Sequence, residues 1–469
     1  MKKEYLIKEL VKELNTKNLA IFAGAGLSTA AGYVDWKGLL KDIADELGLY
    51  VDQEDLILLA QYYVNSKCGN RSKINELIID ELSVNKDITE NHQILARLPI
   101  DTFWTTNYDS LIEKSLESIG KVVDVKHRIT QLSYSKTKRD AVVYKMHGDV
   151  SSPDEAVLIK DDYEKYFLNR NDFFTILRAD LLTKRFLFLG FSFSDPNIDY
   201  ILSRIRVSYD RNQKRHFCIL KQVQKEGEEE QADFEYRKRK QEFFIKDLER
   251  VGIDTLLVNE YHEITEILRE VEQAQKRKTI FISGAAHDYS PYAQDEVEKF
   301  VAELAEEILK MGFRIVTGFG LGIGSSVISG SIKYLMENSL QISEDYLVIR
   351  PFPQNKEGEE LWSIWRKDMI SYAGISIFLF GNKLENENII LSNGMQEEFD
   401  ISKENGNILI PVACTGYISQ NFWEIDMNMK GDERIKNELE QLNSKSSSED
   451  KKNLGDIKSQ ILEILKKVK

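Results

Sequence analysis

Short apolar runs that stop on glycine or a small polar residue recur along this chain, and that pattern restricts the fold more than any other feature. In the first half the runs are Leu19–Ala23, Asp101–Thr105, Ala141–Met146 and Phe186–Leu189. Amphipathic segments such as Ser110–Ser118 and the stretch around Asp199–Val207 separate them. A run of four to six apolar residues suits a strand buried on both faces. Strand, glycine turn, helix, strand is the grammar of a doubly wound parallel sheet. A second series follows Gln273–Lys278: Thr279–Ser283, Phe313–Val316, Tyr346–Ile349, Ile375–Phe380 and Ile408–Val412. With 469 residues there is room for two such domains. The expectation is an α/β protein of two Rossmann-like domains, residues 1–275 and 276–469.

Between the two series, Lys221–Arg250 carries Glu226–Glu230 and then Arg237–Lys240 and reads as a solvated helix. Phe234, Tyr236, Phe243 and Phe244 are expected to form its packed face. The chain closes with Leu454, Ile457, Ile461, Ile464, Leu465 and Val468 at helical spacing, an amphipathic helix. The net charge of -14 works against nucleic-acid and anionic-membrane binding. No apolar run reaches membrane-spanning length. Cys68, Cys218 and Cys414 are far apart, so neither a zinc site nor a disulfide framework is indicated, and no metal is expected. The expected location is the cytoplasm.

Three motifs in the first half fall at strand ends, where ligands collect in open parallel sheets. Ala23-Gly24-Ala25-Gly26-Leu27-Ser28 turns from a strand toward a helix. Its glycines let a diphosphate approach the backbone, and the helix start offers free N–H donors. Thr106-Asn107-Tyr108-Asp109 follows the second strand, and His147-Gly148 follows another. Together they suit cleavage of the nicotinamide–ribose bond of NAD+. That reaction needs a clamp on the diphosphate, a polar group on the ribose and a base for the acceptor. The glycines, Asn107 and His147 offer these in turn. Histidine titrates near neutrality, as a base should.

These motifs, in this order, resemble the signature motifs of the sirtuin family, and Gly190-Phe191-Ser192 resembles the family's later Gly-x-Ser loop. The resemblance spans roughly residues 10–270. It implies that Asn107 holds the ribose and a water and that His147 is the general base. It also implies that Ala23, Gly24, Ala25, Gly26, Ser28, Thr106, Asp109, Gly190 and Ser192 line the NAD site. The four-cysteine zinc module of protein-deacylating sirtuins is absent, and their Gly-x-x-Asp-Phe-Arg pattern is replaced by Gly32-Tyr33-Val34-Asp35-Trp36-Lys37. Both departures favour water as acceptor, with ADP-ribose and nicotinamide as products.

In the second half, Ser283-Gly284 ends one strand, and the loop Gly318-Phe319-Gly320-Leu321-Gly322-Ile323-Gly324 ends the next. Arg366, Lys383 and Glu398 add groups suited to phosphate and ribose. This region, about 279–425, resembles the SLOG superfamily of nucleotide binders. The enzymatic members' Pro-Gly-Gly-x-Gly-Thr-x-x-Glu run is replaced by Ser392-Asn393-Gly394-Met395-Gln396-Glu397-Glu398, which favours binding without chemistry. A sirtuin-like domain followed by a SLOG domain is the layout of the Thoeris antiphage effectors. That resemblance implies a cyclic ADP-ribose isomer, made by a TIR-domain partner protein, as the bound signal. Ser283, Gly284, Gly320, Leu321, Gly322, Arg366, Lys383 and Glu398 would contact it. It further implies allosteric activation, NAD+ depletion in antiviral defence, and a homotetramer assembled through the sirtuin-like domains. Three other readings remain: a sirtuin-type protein deacylase, a pure nucleotide sensor or scaffold, and a hydrolase in the second domain regulated by the first.

Overall fold

The computed structural model describes the chain except for residues 53, 210–212, 321, 353–359, 429–431 and 445–450. It divides into two compact units, Met1–Glu272 and Gln273–Lys469. Each is built on a parallel sheet.

The strands of the first unit are β1 (Leu19–Ala23), β2 (Thr102–Thr105), β3 (Val123–Lys126), β4 (Ala141–Lys145), β5 (Arg185–Leu189), β6 (His216–Lys221) and β7 (Ile253–Val258). They lie in the order β3-β4-β2-β1-β5-β6-β7, all parallel. The chain leaves β1 toward β2 on one side and returns to β5 on the other, so the order reverses at β1. That reversal opens a crevice at the carboxyl ends of β1, β2 and β5. Alternate residues serve opposite layers, as a strand's twofold repeat requires. Leu19, Ile21 and Ala23 join the core under helices Lys3–Asn15, Glu90–Arg97, Leu111–Ser118 and His262–Lys276. Ala20 and Phe22 join the opposite core with Trp104, Phe173, Phe186 and Phe188.

A third core in this unit is helical. Leu40, Ile43, Leu59, Val64, Ile74 and Ile78, from helices Trp36–Leu47, Leu56–Ser66 and Ser72–Leu82, pack on Tyr108, Leu111, Ala156, Leu158 and Ile159. This layer therefore covers the segments that follow β2 and β4. The helix Gln231–Arg250 departs from expectation. Tyr236 and Phe243 are exposed, Phe244 only grazes Phe193 at its edge, and Leu248 is the buried residue. At 100° per residue, positions 234, 241, 245 and 248 share a face, while 236 and 243 fall off it. Gln241 occupies that face by hydrogen-bonding the backbone of Lys221 and Val223.

In the second unit β8 (Thr279–Ala285), β9 (Arg314–Thr317), β10 (Leu347–Ile349), β11 (Ile375–Phe380) and β14 (Ile408–Pro411) form a sheet in the order β10-β9-β8-β11-β14. Again all neighbours are parallel, and the order reverses at its first strand. Between β11 and β14 lies an antiparallel hairpin, β12 (Asn382–Glu385) and β13 (Asn388–Leu391). The final helix, Leu454–Val468, buries Ile457, Ile461, Ile464, Leu465 and Val468 in the main core of this unit. No helix among the described residues is long and apolar enough to cross a membrane.

Candidate active site

Thr105 and Lys145 are paired in register on β2 and β4. Asn107 and His147 therefore each stand two residues beyond the last paired position of adjacent parallel strands. Both side chains are buried, His147 completely.

The Asn107 side chain is held on one side only. Its Nδ2 donates to Gly24 O at 3.0 Å and to Ser28 Oγ at 3.1 Å. Ser28 Oγ donates on to Asp109 Oδ2 at 2.8 Å. Thr105 Oγ1 donates to Ala23 O and accepts from Asn107 N–H, both at 2.9 Å. The Gly24 loop and the Asn107 loop are thus one hydrogen-bonded cluster at the ends of β1 and β2. Across it lies the Gly190 loop. Gly26 N–H donates to Gly190 O at 2.9 Å, and Gly24 N–H to Leu189 O at 2.9 Å. A Cβ on Gly24 would lie 2.7 Å from Phe191 Cα, and one on Gly26 2.9 Å from Gly190 Cα. The two glycines are needed for this loop-to-loop approach, and their N–H groups are spent on it. Ala25, which opens the five-residue helix Ala25–Thr29, keeps an N–H with no acceptor within the helix. Ser192 hydrogen-bonds Ser194 at 2.7 Å and is exposed, and Thr106 is half-buried.

A buried cation, which the strand-end motifs do not single out, fixes the same loops. Lys145 Nζ donates to Tyr108 O at 3.0 Å and Asp109 O at 2.6 Å, and lies 3.0 Å from Glu113 Oε1 with Asp149 also in contact. Burial disfavours the ammonium, but Glu113 and Asp149 more than offset it, and its pKa stands above the usual lysine value. Burial also pushes the Glu113 carboxyl up, against the pull of Lys145. Asp149 ends below the usual carboxylate range because Lys145 and Ser151 outweigh its desolvation.

His147 sits against Tyr163 and Tyr166, with ring centroids 5.6 and 6.3 Å away. Its Nε2 is 3.2 Å from Asp195 Oδ2, but the angle makes no hydrogen bond, and neither ring nitrogen has a hydrogen-bond partner. Burial lowers the imidazole pKa and Asp195 opposes the shift, so the neutral, basic form prevails at neutral pH. A buried polar group without a partner is costly unless function retains it. A cleft of about 450 Å³ lined by Arg128, Asp154, Glu155, Tyr166 and Arg170 shares the Tyr166 wall with His147. None of the strand-end motif residues lines it.

In the second unit Ser283 Oγ donates to Glu398 Oε2 at 2.6 Å, and Glu398 Oε1 is 3.6 Å from Arg366 Nε. Burial raises the Glu398 carboxyl above its ordinary value, opposed by Ser283 and Arg366. Arg366 lies over the rings of Phe352 and Trp362, at 5.2 and 5.7 Å, and its Nη1 pairs with Glu397. Gly284 and Gly320 touch: a Cβ on Gly320 would overlap the Gly284 carbonyl. Gly322, at φ +78°, is wedged against Ala286 and Tyr289. Ser283, Gly284, Gly320, Arg366 and Glu398 are thus brought together where the strand order reverses. Lys383 is not joined to them by any described contact; it lies on the β12–β13 hairpin with its ammonium 2.8 Å from Glu385. Leu321 lies outside the described residues. Among the described residues no group of three or more His, Cys, Asp or Glu side chains could hold a metal ion.

A first parallel sheet with Asn and His at adjacent strand ends, and a second with a Ser–Glu–Arg cluster, define a SIR2-like domain followed by a SLOG domain. Residues 101–244 match the model of the SIR2-like domain, and residues 263–468 match that of the Sir2- and TIR-associating SLOG family. The NAD(+) hydrolase ThsA of Bacillus cereus (strain MSX-D12) is 52% identical over 452 residues, covering 95% of each chain. That of Acinetobacter baumannii (strain 532279) is 47% identical over 88% of each chain. The Cytobacillus dafuensis protein of the same name is 47% identical over 90% of this chain and 88% of its own. This chain belongs to the ThsA family.

Proposed function

We propose that the chain is an NAD+ hydrolase that yields ADP-ribose and nicotinamide, with Asn107 and His147 as its catalytic residues. The observation that carries this is the placement of Asn107 and His147 two residues past paired positions on the adjacent strands β2 and β4, with Asn107 hydrogen-bonded to the Gly24 loop. Asn107 Nδ2 is committed to Gly24 and Ser28, which leaves its carbonyl oxygen to take a ribose hydroxyl or a water. As the C1′–N bond breaks, its electron pair leaves with the neutral nicotinamide. Water adds to C1′ and its proton passes to neutral His147. Ala23, Ala25, Thr106, Asp109 and Ser192 belong to the same NAD site.

The second unit is the regulator. Arg366, beside two aromatic rings, suits a phosphate beside a purine, and Glu398 with Ser283 suits ribose hydroxyls. The ligand we assign is a cyclic ADP-ribose isomer made by a TIR-domain partner, contacted by Lys383 and with the Gly320–Gly322 loop beside it. The protein acts in the cytoplasm as a homotetramer and depletes NAD+ during phage infection. Nicotinamide release from NAD+, measured with and without such an isomer, tests both halves. Release that needs the isomer supports the gated hydrolase. Release indifferent to it removes the gating, and none in either condition removes the hydrolase. His147→Ala and Asn107→Ala, folded as judged by circular dichroism, are expected to lose about 100-fold or more of the turnover.

A further inference from the structure

Asp195 lies outside the strand-end motifs, 48 positions beyond His147 in the chain, and its two carboxylate oxygens have separate partners. Oδ1 accepts from Asn197 N–H at 2.9 Å and Ile198 N–H at 3.1 Å, capping the helix Pro196–Tyr209. Proline in the first turn has no N–H to satisfy, so Oδ1 takes the next two donors. With Oδ1 fixed there, Oδ2 is aimed away from the helix. It lies 3.2 Å from His147 Nε2 and accepts from Tyr163 OH at 3.2 Å. The charged and titratable groups facing His147 are Asp195, Tyr163, Tyr166, Arg170 and Asp162. Arg170 is committed to the carbonyls of His127, Met146 and Glu155, and Asp162 to Arg71. The carboxylate within ion-pair reach of the imidazole is that of Asp195.

We infer that Asp195 is a positioning residue for His147: its carboxylate lies 3.2 Å from Nε2, out of hydrogen-bond alignment, and its charge favours the ring proton on Nε2 and leaves Nδ1 as the basic nitrogen. The inference rests on His147 being the base. When water adds to C1′ and nicotinamide departs with the bond's electron pair, the water proton goes to Nδ1. The imidazolium so formed is stabilised by the Asp195 charge beside Nε2. The helix cap supplies the rigidity: one oxygen is anchored by the backbone, so the other cannot swing away.

The test is Asp195→Asn in the full chain, assayed by nicotinamide release in the presence of a cyclic ADP-ribose isomer. Asparagine keeps an oxygen for the cap but replaces the carboxylate with an amide. We expect kcat to fall by about 100-fold or more with KM for NAD+ within about twofold. The acidic limb of the pH–rate profile moves to lower pH, because the imidazolium has lost its counter-charge. Tyr163→Phe leaves Oδ2 more negative, and the same limb moves to higher pH. A wild-type kcat and profile in Asp195→Asn, with His147→Ala inactive, overturns the positioning role alone. Activity in His147→Ala overturns the base assignment itself. If Asp195→Asn does not fold, Tyr163→Phe decides: a limb that stays or moves down overturns the inference.

Discussion

Lys145 shows how a residue that touches no ligand can set a site. Its ammonium is fully buried and binds the Tyr108 and Asp109 carbonyls, the turn directly after Asn107. Replacing it by methionine would leave the buried Glu113 and the half-buried Asp149 without their cation. Removing one partner of a buried charge cluster costs about 3–5 kcal/mol. Lys145→Met is therefore expected to lower the unfolding free energy by that order in a urea titration, and to release the Asn107 turn. A loss under 1 kcal/mol would show that the cluster is not what holds the loop. Asn107 and His147 were legible as candidates because each follows an apolar run. Lys145 and Asp195 were not, since a lysine inside a strand and an aspartate before a proline look like ordinary surface or capping residues. Only their spatial neighbours mark them.

At the scale of elements, β1, β2, β4, β5, β8 and β11 stand out in the sequence as apolar runs. The edge strand β3 does not, because it carries Asp124 and Lys126, both buried. Their charges are tolerated because they pair at 3.0 Å and Arg139 reaches Asp124 as well. The β12–β13 hairpin is largely exposed, and its short apolar stretch at Ile389, Ile390 and Leu391 does not mark a buried strand. β6 joins β5 through only two register pairs, and His216 adds a side-chain tie by accepting from Phe186 N–H at 3.2 Å. Accepting requires the neutral ring, and burial together with the nearby Arg185, Lys214 and Arg215 lowers its pKa to about 3. The unfolded chain binds this proton near the ordinary value of 6.5, the folded chain only near 3. Between those values the unfolded state holds more protons, so stability falls as pH falls and is complete above about 6.5. His92, lowered to about 4 by burial, adds to the same slope. Each group contributes at most about 1.4 kcal/mol per pH unit. Denaturation from pH 7 to 4 should show that slope, and His216→Gln, which keeps an acceptor without titrating, should flatten part of it. An unchanged slope would remove His216 as a contributor.

At the scale of the molecule, two sheets of the same design carry different chemistry, because different side chains, from strand ends in the first and from helices in the second, gather where the strand order reverses. The first presents amide and imidazole; the second presents a guanidinium beside two aromatic rings and a buried carboxyl. If the second unit reads the signal, Arg366→Ala should abolish the rise in nicotinamide release caused by a cyclic ADP-ribose isomer. Losing a charge-assisted, desolvated contact corresponds to a shift of about 30-fold or more in the half-maximal signal concentration. An unshifted dose response would place the signal elsewhere.

The sequence by itself determined the class of fold, because buried parallel strands must be apolar on both faces and their turns must admit glycine. It also marked Asn107, His147 and Ser283 as polar groups that close apolar runs, and Arg366 and Glu398, which the structure places within the helices Trp362–Ser371 and Asn393–Glu404, as candidates. What only the tertiary structure decided is how those groups are held. The Gly24 and Gly190 loops touch although their residues are distant in the chain, and Lys145 is a buried clamp rather than a surface charge. The oxygens of Asp195 divide between a helix cap and an imidazole, while Lys383 turns to Glu385. Each of these depends on distances between segments far apart in the chain. Local composition and periodicity carry no record of such distances.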